Sequence, residues 1–306
     1  WRSNRGNLSG MSVIDIVGGI YREECAFPYW DQLYGSAGRA ASALTGHVSS
    51  INLHSALANE ELVTANAIFT SEEINLRIAP RRQSIGFEYL HCLSVPKIKP
   101  GRNVPQVSIP PVSGDVIIKF GMLESDPVVS GDHVVYDPQS SSNPIPFSAS
   151  GSTAKHLAII ANRGEILALA KSASVDAAIS TLFEAEKAEV IVVKDGINGA
   201  SVYEAAGSNY VPAYVTQNVF TIGSGDVFVA AFALAWAING VSPAQAADYA
   251  SHATADYVET RMLPIGPMTS EPAARRPAAK AGGHIYLAGP FRDLGQRMMV
   301  DDAREQ

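Results

Sequence analysis

The sequence has few cysteines, no long apolar run and no block of basic residues. Its two cysteines, Cys25 and Cys92, belong to no Cys-x-x-Cys pair, which excludes a disulfide framework and that zinc-ligand spacing. The most apolar run, Val227 to Ile238, is shorter than the roughly 20 residues needed to span a bilayer. We therefore expect a cytoplasmic protein with reduced thiols and no membrane partner.

The charge balance argues against a nucleic-acid partner. The net charge is −7 and the pI is near 5.5, without a basic patch that could neutralise phosphates. Hydrophobic residues make up 46% of the 306 residues and charged residues 17%, which is typical of a chain with a sizeable core. This length fits one large α/β domain or two smaller ones.

A glycine turn, Gly223-Ser224-Gly225-Asp226, leads directly into the most apolar segment. Glycines permit a tight turn, and a following helix would direct unpaired N–H groups and the positive end of its dipole to the same place. The pattern predicts an anion hole suited to phosphate. Asp226 could cap the helix, or could act as a general base on a substrate hydroxyl.

The segment Phe-Thr-Ile-Gly-Ser-Gly-Asp-Val-Phe from Phe220 to Phe228 resembles the Asp-Thr-x-Gly-Ala-Gly-Asp-x-Phe signature of the ribokinase-like (PfkB) sugar and nucleoside kinases. The resemblance implies a three-layer α/β fold with a mostly parallel central sheet and a small β lid. It also implies that Asp226 is the catalytic base. The family's first Asp is Phe220 here, a departure that puts any cation site at that position in doubt.

Two segments of the first 50 residues are the predicted acceptor side. A buried strand from Val13 to Gly19 is followed by Glu23 and Glu24, and in ribokinase-like enzymes an acidic residue after the first strand holds sugar hydroxyls. The alternative is a pair of solvated glutamates.

The second segment begins Gly35-Ser36 and opens a helix with small residues. It is similar to the family's Gly-Gly-x-x-x-Asn-x-Ala substrate segment, except that Tyr34 replaces the first Gly and Arg39 replaces the Asn. A fixed charge at Arg39 predicts a substrate with an anionic group. Alternatively, Arg39 is a surface residue paired with an acidic neighbour.

The nucleotide side is predicted from two later segments. Asn162 and Glu165 follow a strand and match the family's Asn-x-x-Glu signature, which orders the water shell of Mg²⁺ beside the ATP phosphates. The same pair also fits a capping box at a helix start. Gly196 and Gly199 lie in a hairpin that resembles the nucleotide-side hairpin, where Lys194 could reach a phosphate or remain solvated.

Other elements are predicted from the periodicity of apolar residues and from the glycine and proline residues that end them. Strands are expected at Ala67–Thr70, Ser84–Leu90, Asp115–Gly121 and His133–Pro138, and a helix at Ala244–Tyr257.

The domain organisation is predicted as four parts. Residues 1–10 are expected to be an extension before a start at Met11, 11–263 a kinase domain, and 264–283 a Pro/Ala/Gly linker. Residues 284–306, with Ile-Tyr-Leu-Ala-Gly-Pro-Phe, resemble the opening of nucleoside 2-deoxyribosyltransferases. The catalytic Glu of those enzymes comes later in their sequences, so we expect no transferase activity from this segment.

The expected activity is ATP-dependent phosphorylation of a hydroxyl on a sugar or nucleoside, with Mg²⁺ as the metal. A homodimer is compatible with the resemblance. The alternative is a catalytically degenerate domain that binds a nucleotide or nucleoside and regulates a fused deoxyribosyltransferase. Substitutions at Phe220, Tyr34 and Arg39 favour this alternative, whereas Asp226 and the Asn162–Glu165 pair favour the enzyme.

Overall fold

The structure is a computed structural model that describes residues 12–140, 142–268, 275–279, 289 and 292–305; within the last range, side chains are described for 292–298 and 300. The predicted extension at residues 1–10 lies outside the described residues. So do residues 284–291, apart from Gly289, at the start of the segment that resembles nucleoside 2-deoxyribosyltransferases.

The described strands form a nine-stranded sheet and a separate four-stranded sheet. In chain order they are β1 (Val13–Val17), β2 (Arg22–Phe27), β3 (Trp30–Leu33), β4 (Ser50–Ala58), β5 (Ile74–Arg81), β6 (Gly86–His91), β7 (Lys97–Lys99), β8 (Val112–Phe120), β9 (Val129–Asp137), β10 (Thr153–Asn162), β11 (Val190–Lys194), β12 (Ala200–Glu204) and β13 (Gly207–Val211). The large sheet has the order β13-β12-β11-β10-β9-β8-β1-β4-β5 and is parallel except at β12 and β13.

Helices cover both faces of the large sheet. They are α1 (Gly35–Leu44), α2 (Leu62–Ser71), α3 (Arg163–Leu169), α4 (Val175–Glu186), α5 (Ser224–Ala233), α6 (Pro243–Thr260) and α7 (Leu294–Glu305). Residues of α1, α2, α5 and α6 belong to one hydrophobic core, and residues of α3 and α4 to a second. The expected three-layer α/β fold is therefore confirmed.

Burial on both faces explains the sequence of the central strands. Leu157 to Ala161 of β10 are all buried, as are Val190 to Val193 of β11. A parallel sheet covered by helices on both sides reads as a continuous apolar run, with no alternation of polar residues. None of the helices in the described part of the chain is long and apolar enough to cross a membrane.

Most predicted elements are present, and one is wrong. The strands expected near Val13, Ser84, Asp115 and His133 coincide with β1, β6, β8 and β9. The strand expected at Ala67–Thr70 is instead part of α2. Ala65 and Phe69, four residues apart, lie on the same face of that helix and are buried in the core. This helical spacing outweighs the β-branched residues that suggested a strand.

The small sheet, of order β3-β2-β6-β7, is the predicted β lid. It contacts the chain just before the glycine turn. The hydroxyl of Thr221 donates to the backbone carbonyl of Cys92, and the thiol of Cys92 lies 3.3 Å from the carbonyl oxygen of Val219. The ring of Trp30 lies 5.0 Å from that of Phe220. The lid thus contacts the residues that lead directly into the glycine turn.

Candidate active site

The glycine turn forms the N-terminus of α5. Gly223 is the N-cap residue and has a φ of 77°, a left-handed conformation that favours glycine. The N–H of Ser224 donates to Thr221 and that of Val227 to Gly223, at 3.0 and 3.1 Å. The N–H groups of Gly225 and Asp226 have no partner in the described part of the chain. Two free donors at a helix N-terminus can bind an anion such as phosphate.

Asp226 lies in the first turn of α5 and does not cap it. Its carboxylate is 6% exposed and accepts hydrogen bonds from two side chains. Nη1 of Arg39 donates to Oδ2 at 2.9 Å, and Nε2 of Gln139 donates to Oδ1 at 3.1 Å. Ser36 in turn donates to Oε1 of Gln139 at 2.6 Å. The helix-capping interpretation of Asp226 is therefore wrong.

Arg39 is fully buried and joins Glu23, the predicted substrate-binding carboxylate, to Asp226, the predicted base. Nη1 donates to Glu23 at 3.0 Å as well as to Asp226, and Nη2 forms a second, shorter contact with Glu23. Nε donates to the hydroxyl of Tyr257 at 3.0 Å. The interpretation of Arg39 as a surface residue is wrong, since none of its surface is exposed. Its charge is balanced by two carboxylates within the protein.

The guanidinium lies directly against the glycine turn. A Cβ at Gly223 would come within 2.1 Å of Cζ and Nε of Arg39. The ring of Tyr34, which replaces the family's Gly, lies 5.5 Å from Cζ on another side. Arg39 therefore fills the space between α1 and the turn, and a side chain at position 223 would displace it.

Burial and charge compete at Asp226. Burial raises the pKa of the Asp226 carboxyl, the ion pair with Arg39 opposes this rise, and Glu23 and Asp137 add to it. The pKa remains raised overall. Such a carboxylate is a stronger base than an exposed aspartate, and the neighbouring guanidinium favours its ionised form.

A second charge cluster lies at the carboxyl ends of β9, β10 and β11. Nζ of Lys194 donates to Oδ2 of Asp137 at 2.8 Å. Burial lowers the pKa of Lys194, but Asp137 and Glu165 outweigh burial and leave this pKa raised. A Cβ at Gly225 would lie 3.3 Å from Nζ, so the ammonium group is next to the turn. The interpretation of Lys194 as a solvated lysine is wrong, because it is largely buried and paired.

Asn162 and Glu165 form the capping box at the start of α3. The N–H of Glu165 donates to Oδ1 of Asn162, and the N–H of Asn162 donates to Oε2 of Glu165, both at 2.9 Å. Burial raises the pKa of Glu165 to about 7, with Asp137 adding to the rise and Lys194 opposing it. The capping box occupies one carboxylate oxygen of Glu165, and the magnesium role of the pair stays a prediction.

The remaining predicted residues are glycines that permit close backbone packing and a glutamate outside the cluster. Gly196 and Gly199 shape the turn between β11 and β12, both with positive φ, and Gly199 packs against the carbonyl of Val211. Gly35 lies against the backbone of Gly19, where a Cβ would come within 2.5 Å of the carbonyl oxygen. Glu24 pairs with Arg22 on the exposed face of the lid, at 2.9 Å. Only Glu23 of the two glutamates therefore belongs to the buried cluster.

Phe220 is buried where the family's first Asp would lie. Its ring packs against Trp30, lies 6.5 Å from the ring of Tyr257, and has Cζ of Arg261 5.5 Å from its centre. An aromatic side chain offers no oxygen ligand for a cation. Among the described residues, no group of three or more His, Cys, Asp and Glu side chains could hold a metal ion.

Three residues of the cluster were missed by the sequence analysis: Asp137, Gln139 and Tyr257. Asp137 ends β9 at the same edge of the sheet as Asn162, and this position could have identified it, because ligands collect at the carboxyl ends of parallel strands. No sequence signal identifies Gln139 or Tyr257, whose contacts with the cluster depend on how a loop and α6 pack.

Comparison with known proteins supports the resemblance to the ribokinase-like kinases. Residues 131–264 match the model of the pfkB family carbohydrate kinases. Among curated protein sequences, none matches the chain significantly. The matched range contains Asp137, the Asn162–Glu165 pair and the complete glycine turn.

Solved kinase structures share the fold. Ribokinase from Thermotoga maritima has a TM-score of 0.58 and 16% identity, covering 81% of this chain and 93% of its own. Fructokinase from Vibrio cholerae, with fructose, ADP and calcium bound, has a TM-score of 0.63 and 14% identity, covering 82% and 94%. Aminoimidazole riboside kinase from Salmonella enterica has a TM-score of 0.57 and 14% identity, covering 81% and 94%.

The ribokinase-like recognition made from the glycine turn is therefore confirmed, together with the kinase class of enzyme that it implies. The match to the pfkB family of carbohydrate kinases covers residues 131–264, which is less than half of the chain.

Proposed function

We propose that the protein transfers the γ-phosphoryl group of ATP to a hydroxyl of a sugar or nucleoside, with Asp226 as the general base. The observation that carries this proposal is the position of Asp226. Its buried carboxylate lies in the first turn of α5, beside the free N–H groups of Gly225 and Asp226. A base and an anion hole at one point are the parts that phosphoryl transfer requires.

The proton moves from the acceptor hydroxyl to the carboxylate of Asp226. Both oxygens of that carboxylate have donors, Arg39 and Gln139. Each oxygen retains a further lone pair, so the acceptor hydroxyl can donate to one of them while Arg39 and Gln139 keep the carboxylate oriented. Within the predicted anion hole from Gly223 to Asp226, the free N–H groups of Gly225 and Asp226 would stabilise the charge on the transferred group. Lys194 lies close enough to the turn to assist.

ATP and Mg²⁺ fit the charges of the site. The N-terminus of α5 provides positive charge for the phosphates, and Gly196 and Gly199 allow close approach at the β11–β12 turn. Lys194 lies beside this N-terminus but is paired with Asp137, so Mg²⁺ would supply the remaining positive charge. Asn162 and Glu165 would hold hydrated Mg²⁺ through its water shell. When bound, this metal neutralises charge on the phosphates.

The acceptor side favours hydroxyl groups over an anion. Glu23 and Asp226 already balance the charge of Arg39, which leaves no excess positive charge for an anionic substrate group. Glu23, Gly35 and Ser36 would contact the acceptor, since hydroxyls can bridge carboxylates and hydroxyl-bearing side chains. A sugar or nucleoside fits this chemistry. The unpaired thiols of Cys25 and Cys92 are consistent with a cytoplasmic protein. We also propose that the protein forms a homodimer.

A second function is favoured by one specific observation. Arg39 and Gln139 together engage both oxygens of the predicted base, and Arg39 replaces the amide usual in the family. A domain in which this arrangement is permanent would bind a nucleotide or nucleoside without turnover. It would then act as a regulatory domain for a fused deoxyribosyltransferase.

The test is acceptor-dependent ADP release with Mg·ATP and a panel of sugars, nucleosides and their monophosphates. We expect turnover in the wild type and a loss of about 10²–10⁴-fold in Asp226→Asn. Asp176→Asn is the matched control, because Asp176 lies in the first turn of α4 but is exposed. Thermal stabilisation by nucleotide without turnover, with any acceptor, would instead establish the regulatory function.

A further inference from the structure

An irregular segment connects β13 to the glycine turn, and we call residues 212–219 the approach segment. It is held to α6 on one side. Ser251 donates to the carbonyl of Pro212 at 2.6 Å, and the hydroxyl of Tyr214 donates to Asp248 at 2.6 Å. The ring of Tyr214 also stacks on that of His252 with centres 3.7 Å apart. The backbone of the approach segment remains available for pairing on its other side.

Residues 275–279, which we call the strap, pair with that backbone. The N–H of Val215 donates to the carbonyl of Arg276 at 2.9 Å, and the N–H of Ala278 donates to Ala213 at 2.7 Å. Tyr214 and Pro277 form the antiparallel bridge between these two bonds. The strap lies beyond the residues that match the family model, which end at 264. This part of the predicted linker is therefore docked on the kinase domain.

Arg275 ties the strap to α6 as well as to the approach segment. Nε and Nη2 donate to Oδ1 of Asp256 at 3.0 and 2.7 Å, and Nη2 also contacts Glu259. Nη1 donates to the carbonyl of Val215 at 3.2 Å. Because the other carboxylate oxygen of Glu259 accepts from the N–H of Gln217 at 3.0 Å, one arginine connects three parts of the chain.

These tethers end next to the catalytic machinery. The N–H of Phe220, which follows the approach segment, donates to Val258 of α6 at 3.1 Å. The glycine turn begins at Gly223, only three residues later. Any loosening of the approach segment therefore reaches the turn through a few covalent bonds.

We infer that residues 275–279 act as a strap in cis that fixes the approach to the catalytic turn, with Arg275 as its positioning residue. The consequence for activity rests on the proposed function. The strap contacts α6 and the approach segment, which follows β13 and so lies on the side of the β11–β12 hairpin, whereas Glu23 and Arg39 approach the turn from the lid and α1. Loss of the strap should therefore weaken the binding of ATP more than the binding of the acceptor.

The test compares Arg275→Ala, Arg275→Lys and the wild type by hydrogen exchange of peptides covering 212–222, without ligand. Arg292→Ala is the matched control, since Arg292 is exposed and precedes α7. We expect exchange at 212–222 to be roughly fivefold faster in Arg275→Ala, as about 1 kcal/mol of local stabilisation implies. Lysine should restore part of the protection, because it can pair with Asp256 or Glu259 but lacks the arginine's fork of donors.

Kinetics provide a second readout that is independent of exchange. In Arg275→Ala we expect the KM for ATP to rise about fivefold while the KM for the acceptor stays unchanged. Unchanged exchange at 212–222 would overturn the strap, and so would faster exchange throughout the chain, which indicates global destabilisation. Faster local exchange in a protein without kinase activity would support the strap and reject the proposed function.

Discussion

Nη1 of Arg39 donates to Oδ2 of Asp226 at 2.9 Å although the two residues are 187 positions apart in the chain. The same guanidinium binds both oxygens of Glu23. The predicted catalytic base and the predicted hydroxyl-binding residue thus share one buried cation. Acceptor binding, base strength and the packing of α1 on the turn are therefore linked through a single side chain.

Removing the charge of Arg39 should destabilise the protein strongly. Arg39→Gln leaves Glu23 and Asp226 buried without a cation, and we expect the free energy of unfolding to fall by about 3–5 kcal/mol. Urea denaturation at pH 7 measures this loss. Arg22→Gln is the control: Arg22 pairs with Asp31 on the exposed face of the lid, and its replacement should cost less than about 1 kcal/mol. Equal losses in the two variants would contradict a buried, energetically coupled pair.

The raised pKa of Glu165 predicts a pH dependence of stability. Burial and Asp137 raise this pKa to about 7 from its ordinary value of 4.5, so between these pH values the native state holds a proton that the unfolded state has lost. The contribution of Glu165 is complete below pH 4.5 and is lost as the pH rises through about 7. We expect Glu165→Gln, which keeps the capping box, to flatten the unfolding free energy between these pH values. A parallel pH dependence in wild type and variant would contradict this assignment.

The ionisation of Glu165 should also control the affinity for Mg·ATP. If Glu165 binds the water shell of Mg²⁺, it has to be ionised, so the affinity for Mg·ATP should increase as the pH rises through about 7. Isothermal titration at several pH values measures this increase. The dependence should disappear in Glu165→Gln. Its persistence there would assign the titration to another group.

Alanine substitutions at two glycines with positive φ would distinguish the cost of backbone strain from the cost of a side-chain collision. Gly240 has a φ of 65° and nothing within 4 Å of an added Cβ, whereas a Cβ at Gly223 would collide with Arg39. Gly240→Ala should cost about 1 kcal/mol of stability from backbone strain alone. We expect Gly223→Ala to cost more, and to weaken nucleotide binding, because Arg39 has to move. Thermal unfolding and nucleotide titration of both variants test this difference.

Phe220 predicts kinase activity that does not depend on potassium. Its buried ring takes the place of the family's first Asp and contacts Trp30 and Tyr257. We expect the same rate of ADP release in potassium and sodium chloride at equal ionic strength. A rate increase specific to potassium would indicate a cation site built from other residues.

The local parts of the site were predictable from the sequence. The glycine turn and the Asn162–Glu165 pair are set by neighbouring residues in the chain, and a few positions suffice to identify them. The strands of the large sheet were also predictable, because burial on both faces leaves a continuous apolar run. The segment in α2 was misassigned because four residues are too few to show the helical spacing of Ala65 and Phe69.

The pairing of charges was not predictable. Whether Arg39 faces solvent or Asp226 depends on the packing of α1 against α5, which no local pattern specifies. The strap illustrates the same limit, since a segment rich in proline and alanine reads as a linker until its backbone pairing with residues 213–215 is seen. Interactions between distant segments require the three-dimensional structure.

The contact of Cys92 with the residues just before the glycine turn has a practical consequence. Cys25 is buried, whereas Cys92 is half-buried and bridges the lid to Val219 and Thr221. Because the chain contains only these two cysteines, a small fluorophore or a spin label directed at accessible thiols would attach mainly to Cys92. The chain therefore carries its own attachment point for a spectroscopic probe of the contact between the lid and the residues before the glycine turn, without any engineered cysteine.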